Sequence, residues 1–180
     1  MELIDVYDSS RNPTGRVIER TSVRPGDYRL IVHVCIFDDE GRMLIQKRAD
    51  TKRSYAGLWD VTAGGQVIAG ESSHRGASRE LYEEMGLKRR FSPEDLVCSV
   101  SFLYGFDDFY VSGSIPRDSL VLRGSEVSAA RWSNVQEIEK MIEAKEFVPY
   151  TKGFIRSLFD FHYRFADIKR EFTAREVWTE

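Results

Sequence analysis

Apolar residues in the first half of the chain fall in short runs, not at helical spacing. Leu3–Tyr7, Arg16–Ile18, Leu30–Phe37 (interrupted by His33) and Met43–Gln46 have the pattern of strands. Asp8-Ser9-Ser10-Arg11-Asn12-Pro13-Thr14-Gly15 separates the first two as a turn. Asp38-Asp39-Glu40-Gly41 joins the next two as a hairpin. The polar, basic stretch Lys47–Ala56 predicts a loop, and Trp59–Thr62 a short strand running into Ala63-Gly64-Gly65. Val97–Leu103 and Asp108–Gly113 predict another strand pair, and Ala129–Trp132 one more strand.

The helical period appears in three places. Ser72–Met85 is stopped by Gly86, which can take the left-handed backbone that ends a helix. Val135–Lys145 follows a cap at Ser133 or Asn134. From Thr151 to about Ile168, Phe154, Ile155, Leu158, Phe159, His162, Phe165 and Ile168 make one stripe. That stripe reads as intramolecular core or as the seam of a homodimer. Residues 169–180 form a charged tail. Short strands interleaved with helices predict an α+β fold, an α-β-α sandwich with a mixed sheet packed between helices. A length of 180 residues predicts one domain over 1–180.

Composition narrows the function classes. Hydrophobic residues are 42% and charged residues 31%, which excludes a wholly disordered chain. A net charge of -3 argues against a nucleic-acid polymer as partner. No apolar run is long enough to span a bilayer, and Met1–Asp5 lacks the basic flank of a secretory signal. Cys35 and Cys98 make neither a disulfide framework nor a zinc quartet. The expectation is a cytoplasmic protein with two reduced thiols, no membrane partner and a small-molecule substrate.

The chemistry concentrates in the helix from Ser72. Glu80, Glu83 and Glu84 stand at i, i+3 and i+4, sharing an arc of about 100°. Ala77, Leu81 and Met85 fall on a neighbouring arc that can face the core. Three like charges at these spacings weaken an isolated helix, so positive charge should compensate. Arg75 and Arg79 supply part of it, and a divalent cation would supply more. Without that compensation the face is a solvated acidic surface.

The residues before the helix extend the pattern. Gly65, five residues, Glu71, seven residues, Arg79-Glu80-Leu81, one residue, Glu83-Glu84, one residue, Gly86-Leu87 is complete over Gly65–Leu87. At ordinary residue frequencies this arises by chance with odds on the order of one in ten million. The pattern resembles the Nudix box of the Nudix hydrolase family. Leu44-Ile45-Gln46-Lys47-Arg48, Trp59-Asp60 and Gly64-Gly65 resemble the branch related to isopentenyl-diphosphate isomerase.

The resemblance implies the Nudix fold and metal-dependent hydrolysis of a diphosphate bond by attack of water on phosphorus. Mg²⁺ is the implied cofactor, with Mn²⁺ as the alternative. Hard cations take oxygen ligands, which three glutamates provide. By resemblance Glu80, Glu83, Glu84 and the Gly64 carbonyl are metal ligands, while Glu71 and Arg79 orient them. Glu80, with Glu84, belongs to the implied catalytic set, and Glu80 is the favoured group to orient the attacking water. Glu126, six residues before Trp132, is the loop candidate for the base. Lys47, Arg48, Lys52 and Arg53 flank the expected cleft as phosphate contacts, and Trp59, Phe102 and Tyr104 are candidates for stacking on a base. His33, His74 and His162 show no ligand spacing.

Two other readings stand beside hydrolysis. The isomerase relies on a cysteine shortly after the tryptophan, and Trp59-Asp60-Val61-Thr62-Ala63-Gly64-Gly65 has none. Its second acid falls near Asp107, an aspartate where glutamate is expected. A non-catalytic nucleotide-sensing module commonly loses box carboxylates, and this box keeps them. The signatures of coenzyme A and NADH diphosphatases are absent outside the box, Tyr104 falls near the tyrosine associated with dinucleoside polyphosphate hydrolases, and the resemblance also admits nucleoside di- and triphosphates.

Overall fold

The computed structural model describes residues 2–113, 120–122 and 125–162. In it β1 (Leu3–Tyr7) and β2 (Pro13–Glu19) form a two-stranded antiparallel ribbon. β3 (Arg29–Ile36), β6 (Ala63–Gln66), β7 (Leu96–Phe102) and β8 (Gly105–Ser112) form a second sheet, ordered β6-β3-β8-β7. β4 (Met43–Arg48), β5 (Trp59–Asp60) and β9 (Val127–Ser133) form a third, ordered β5-β4-β9. The helices are α1 (Ser73–Met85), α2 (Val135–Glu143) and α3 over 152–162, with a 3-10 turn at Pro93–Asp95.

β3 is the axis of the fold. It pairs in parallel with β8, from Arg29 opposite Gly105 to Ile36 opposite Ser112, and antiparallel with β6. The sheet is therefore mixed, as expected. Side chains alternate across a strand, so β3 serves two cores. Leu30, Val32, Val34 and Ile36 pack with Ala77, Leu81 and Met85 of α1. Cys35 and Phe37 pack with Phe109, with Ile138 and Met141 of α2, and with Ile155, Leu158 and Phe159 of α3. A sheet with helices on both faces follows, the expected sandwich. Full burial of a side chain such as Leu81 contributes about 1.5–3 kcal/mol.

Three expectations need correction or limits. The two runs read as a hairpin at Asp38–Gly41 meet in a tight turn, but β3 and β4 enter different sheets. Each strand finds a better partner elsewhere, because both are buried on two faces. The segment Trp59–Thr62 is not one strand. It breaks after Asp60 and resumes at Ala63, crossing from the third sheet to the second. The described part of the aromatic stripe, Phe154 to His162, packs inside the chain, with Ile155 and Leu158 fully buried and His162 stacked on Phe37. Phe165, Ile168 and the tail 169–180 lie outside the described residues.

Candidate active site

α1 begins after Ser72, whose backbone is extended, and ends at Gly86, whose φ of 71° closes the helix with its N–H on the Tyr82 carbonyl at 3.0 Å. Its buried stripe contains Gly76, Ala77, Leu81 and Met85, and also Glu80 and Glu84. The carboxylates are therefore not all on one solvent face. Glu84 is 1% exposed and Glu80 7%, whereas the Glu83 side chain is 45% exposed. Charged groups at such depth are costly unless they are paired.

Two sets of partners hold them. Arg79 donates to Glu71 Oε2 at 3.0 Å, Glu80 Oε1 at 2.7 Å, Glu83 Oε2 at 3.0 Å and the Gln66 carbonyl at 2.9 Å. This planar fork ties three carboxylates to the end of β6. Burial opposes the Arg79 charge, but Glu71 and Glu80 outweigh it and keep the guanidinium protonated more firmly than usual. Glu84 is held separately. Its Oε2 accepts from Gln46 Nε2 at 2.7 Å and from the Gly64 N–H at 3.0 Å. Its Oε1 lies 3.8 Å from the Lys52 ammonium, which donates to Glu126 Oε2 at 2.9 Å.

These surroundings shift both acids upward. Burial raises Glu84 to about 7, against the pull of the Gln46 and Gly64 donors, and nearby Glu80 adds to the rise. Burial also raises Glu80, opposed by Arg79 and helped by Glu83 and Glu126. Two buried acids with raised values beside a glycine-rich strand end are a functional pattern. Among the described residues, no three acidic, histidine or cysteine side chains converge on one point as a ready-made cage. Arg79 draws Glu80 and Glu83 to one side, while Gln46 and Gly64 draw Glu84 to the other. The donor chemistry nonetheless suits a hard cation, since every available group is oxygen.

The structure brings together Gly64, Glu71, Arg79, Glu80, Glu83, Glu84 and Glu126, with Lys52 reaching in from the loop after β4. Other sequence candidates lie elsewhere. Arg48 is turned to Asp60 at 3.4 Å and to the Ser54 carbonyl at 3.1 Å. Lys47 sits in β4 opposite Trp59 and Ala129. Trp59 packs against the core formed with α2 and α3, and Arg131 lies 5.1 Å over its ring. Phe102 and Tyr104 lie at the Arg29 end of the sheet. Gly64 pairs with His33, four residues farther along β3, about 13 Å away at strand rise.

Gln46 was not among the sequence candidates. It occupies the α1-facing side of β4, two residues after buried Leu44, where an apolar residue is expected. That interruption of the pattern, within the Leu44–Arg48 stretch that carries the resemblance, was its signal.

Comparison with known proteins places the arrangement. The NUDIX domain model matches residues 27–158, which contain every group described above. The chain belongs to the Nudix hydrolase family. An uncharacterized Nudix hydrolase of Listeria monocytogenes is 35% identical over 89% of this chain and 95% of its own length. An isopentenyl-diphosphate Delta-isomerase of Photorhabdus laumondii is 29% identical over 78% of this chain and 82% of its own. The crystal structure of a Deinococcus radiodurans protein shares the fold with a TM-score of 0.70 at 22% identity, covering 91% of this chain and all of that one. This Nudix hydrolase is thus built on the expected fold, and its β1–β2 ribbon precedes the matched domain. No helix among the described residues is long and apolar enough to cross a membrane.

Proposed function

We propose that this Nudix hydrolase cleaves a diphosphate bond in a small molecule with the help of a divalent cation, Mg²⁺ or in its place Mn²⁺. The observation that carries the reading is the burial of Glu80 and Glu84 beside Gly64-Gly65, with both acids shifted upward. Burying like charges together is unfavourable until a cation joins them. Glu80, Glu83, Glu84 and the Gly64 carbonyl would hold it, and Glu71 with Arg79 would orient the carboxylates. A bound cation supplies charge neutralisation for the diphosphate and a lowered pKa for water.

The chain's own groups then divide the work. Glu80 orients the attacking water and accepts its proton as the water oxygen bonds to phosphorus and the bridging P–O bond breaks. Burial raises the Glu80 pKa against the pull of Arg79, which makes its carboxylate a stronger base. Glu126 is the rival acceptor, held by Lys52 at the edge of the site. Once Lys52 is released from Glu126, its ammonium is placed to meet a phosphate. Cys35 and Cys98 are free thiols, in keeping with a cytoplasmic setting.

The isomerase relatives give a second reading to be tested. It finds little support, because burial raises Cys35 well above its usual value and Cys98 to about 11, so neither is a reactive thiolate. The test is phosphate and diphosphate release from nucleoside di- and triphosphates, nucleotide sugars, ADP-ribose, dinucleoside polyphosphates and isoprenoid diphosphates, with and without Mg²⁺ or Mn²⁺. Cation-dependent turnover that disappears in Glu84→Gln supports the reading. Conversion of isopentenyl diphosphate to its isomer would replace it. Glu126→Gln separates the two bases: a wild-type pH–rate profile in that variant leaves Glu80 as the acceptor.

A further inference from the structure

Gln46 is 1% exposed, and its amide is only half used. The nitrogen donates to Glu84 Oε2 at 2.7 Å, while Oε1 has no hydrogen-bond partner among the described residues. Glu84 Oε2 accepts from the Gly64 N–H as well, and the end of the amide that can add a second donor to that oxygen is its nitrogen. Its oxygen is left as a buried, unmet acceptor at the floor of the site. Such an acceptor is costly in a finished core, but it fits a place where a hydrated cation arrives.

The donors on Glu84 reinforce this. Gln46 and the Gly64 N–H both engage Oε2, and no other oxygen of that carboxylate is fixed by a neutral donor. Oε1 remains directed at the positive charge of Lys52, 3.8 Å away, which also binds Glu126. Gln46 therefore does two things at once. It engages one oxygen of Glu84, leaving the other toward Lys52, and it holds its own carbonyl beside that carboxylate as an unused acceptor.

We propose that Gln46 is a positioning residue for the divalent-cation site: it orients Glu84 through its amide nitrogen and accepts from the cation's water shell through its amide oxygen. The inference rests on the metal-dependent reading above and adds a neutral residue from β4 to a site otherwise drawn from α1 and the strand before it. Groups that orient ligands in this way typically change metal affinity by about 10–100-fold when removed.

The test is Mn²⁺ binding, read from the free-ion signal in electron paramagnetic resonance, in wild type, Gln46→Met and Gln46→Asn. The dissociation constant is expected to rise at least tenfold in both variants. In the Glu84→Gln background, Gln46→Met should change it less than in the wild-type background, because only the contact to the water shell is then lost, whereas a general packing defect would act equally in both. A probe of the wild-type protein needs no variant to fold. Substoichiometric Mn²⁺ should broaden the Gln46 side-chain amide resonances well before those of Gln136 on α2. Wild-type affinity in a folded Gln46 variant, an equal loss in the wild-type and Glu84→Gln backgrounds, or unbroadened Gln46 resonances in Mn²⁺-bound protein would overturn the role of Gln46 alone. Absence of Mn²⁺ binding by wild type would overturn the cation reading and this inference with it.

Discussion

Gly65 and the Glu80 carboxylate are in such close contact that a Cβ on residue 65 would overlap both carboxylate oxygens. The glycine is required for approach, and the strand end and the helix can share a site only because it has no side chain. Gly65→Ala should therefore displace Glu80. We expect kcat/KM to fall at least tenfold, with a stability loss of about 1–3 kcal/mol from local overpacking. Steady-state kinetics beside urea denaturation checks this, and wild-type turnover would show that Glu80 has no fixed place in the reaction.

Glu84 makes stability depend on pH in an unusual direction. Its folded value of about 7 lies above the ordinary value of 4.5. Between those limits the folded chain keeps a proton that the unfolded chain releases. The stabilisation is complete below 4.5 and is lost as pH rises toward 7, amounting to about 3 kcal/mol at most. Metal-free Glu84→Gln should be more stable than wild type at pH 8, and the difference should vanish near pH 4. The same variant should lose hydrolysis. Urea melts in a chelator at both pH values decide it.

Arg79 is expected to tolerate no cationic substitute. Lysine keeps the charge but cannot span Glu71, Glu80, Glu83 and the Gln66 carbonyl together. Arg79→Lys should lower kcat/KM by about 10–100-fold and cost about 1–3 kcal/mol from groups left unpaired. Recovery of full activity in Arg79→Lys would reduce its role to simple charge balance.

Arg11 ties the ribbon to the helix. It pairs with Asp108, a fully buried carboxylate that also accepts from Ser73 in the first turn of α1, and Tyr110 donates to Ser73 at 2.9 Å. Arg11→Ala leaves that charge without its cation and should cost about 3–5 kcal/mol. Asp108→Asn in the same background should restore part of the loss. A double-mutant cycle by chemical denaturation measures the coupling, and additive losses would refute it.

Much of this was legible in the chain. The strand runs, the caps of α1 and α2 and the spacing of the box follow from local rules, and the structure keeps them to within a few residues. The depth of Glu80 and Glu84 was not legible, because an i, i+3, i+4 cluster does not say which of its members faces the sheet. The surroundings of Arg48 and Trp59 were not legible for a related reason. Their type suits phosphate or base, yet Asp60 and the second core claim them. Gln46 was passed over because a single polar residue in an apolar strand looks like ordinary variation. Sheet membership was also out of reach, since the turn after β3 has hairpin chemistry whichever sheet β4 joins.

The parallel pairing of β3 with β8 has a consequence for how the molecule is made. Arg29 meets Gly105, so every acid on α1, Gly64 and Gln46 lie in the stretch of chain between the paired strands. On a ribosome the whole acidic helix emerges before the strand that completes the central sheet. Long-range closure of this kind slows folding and leaves intermediates open. Nascent chains arrested before Gly105 should thus carry the complete box motif, with the strands that line its carboxylates, but without the β3–β8 pairing that completes their sheet.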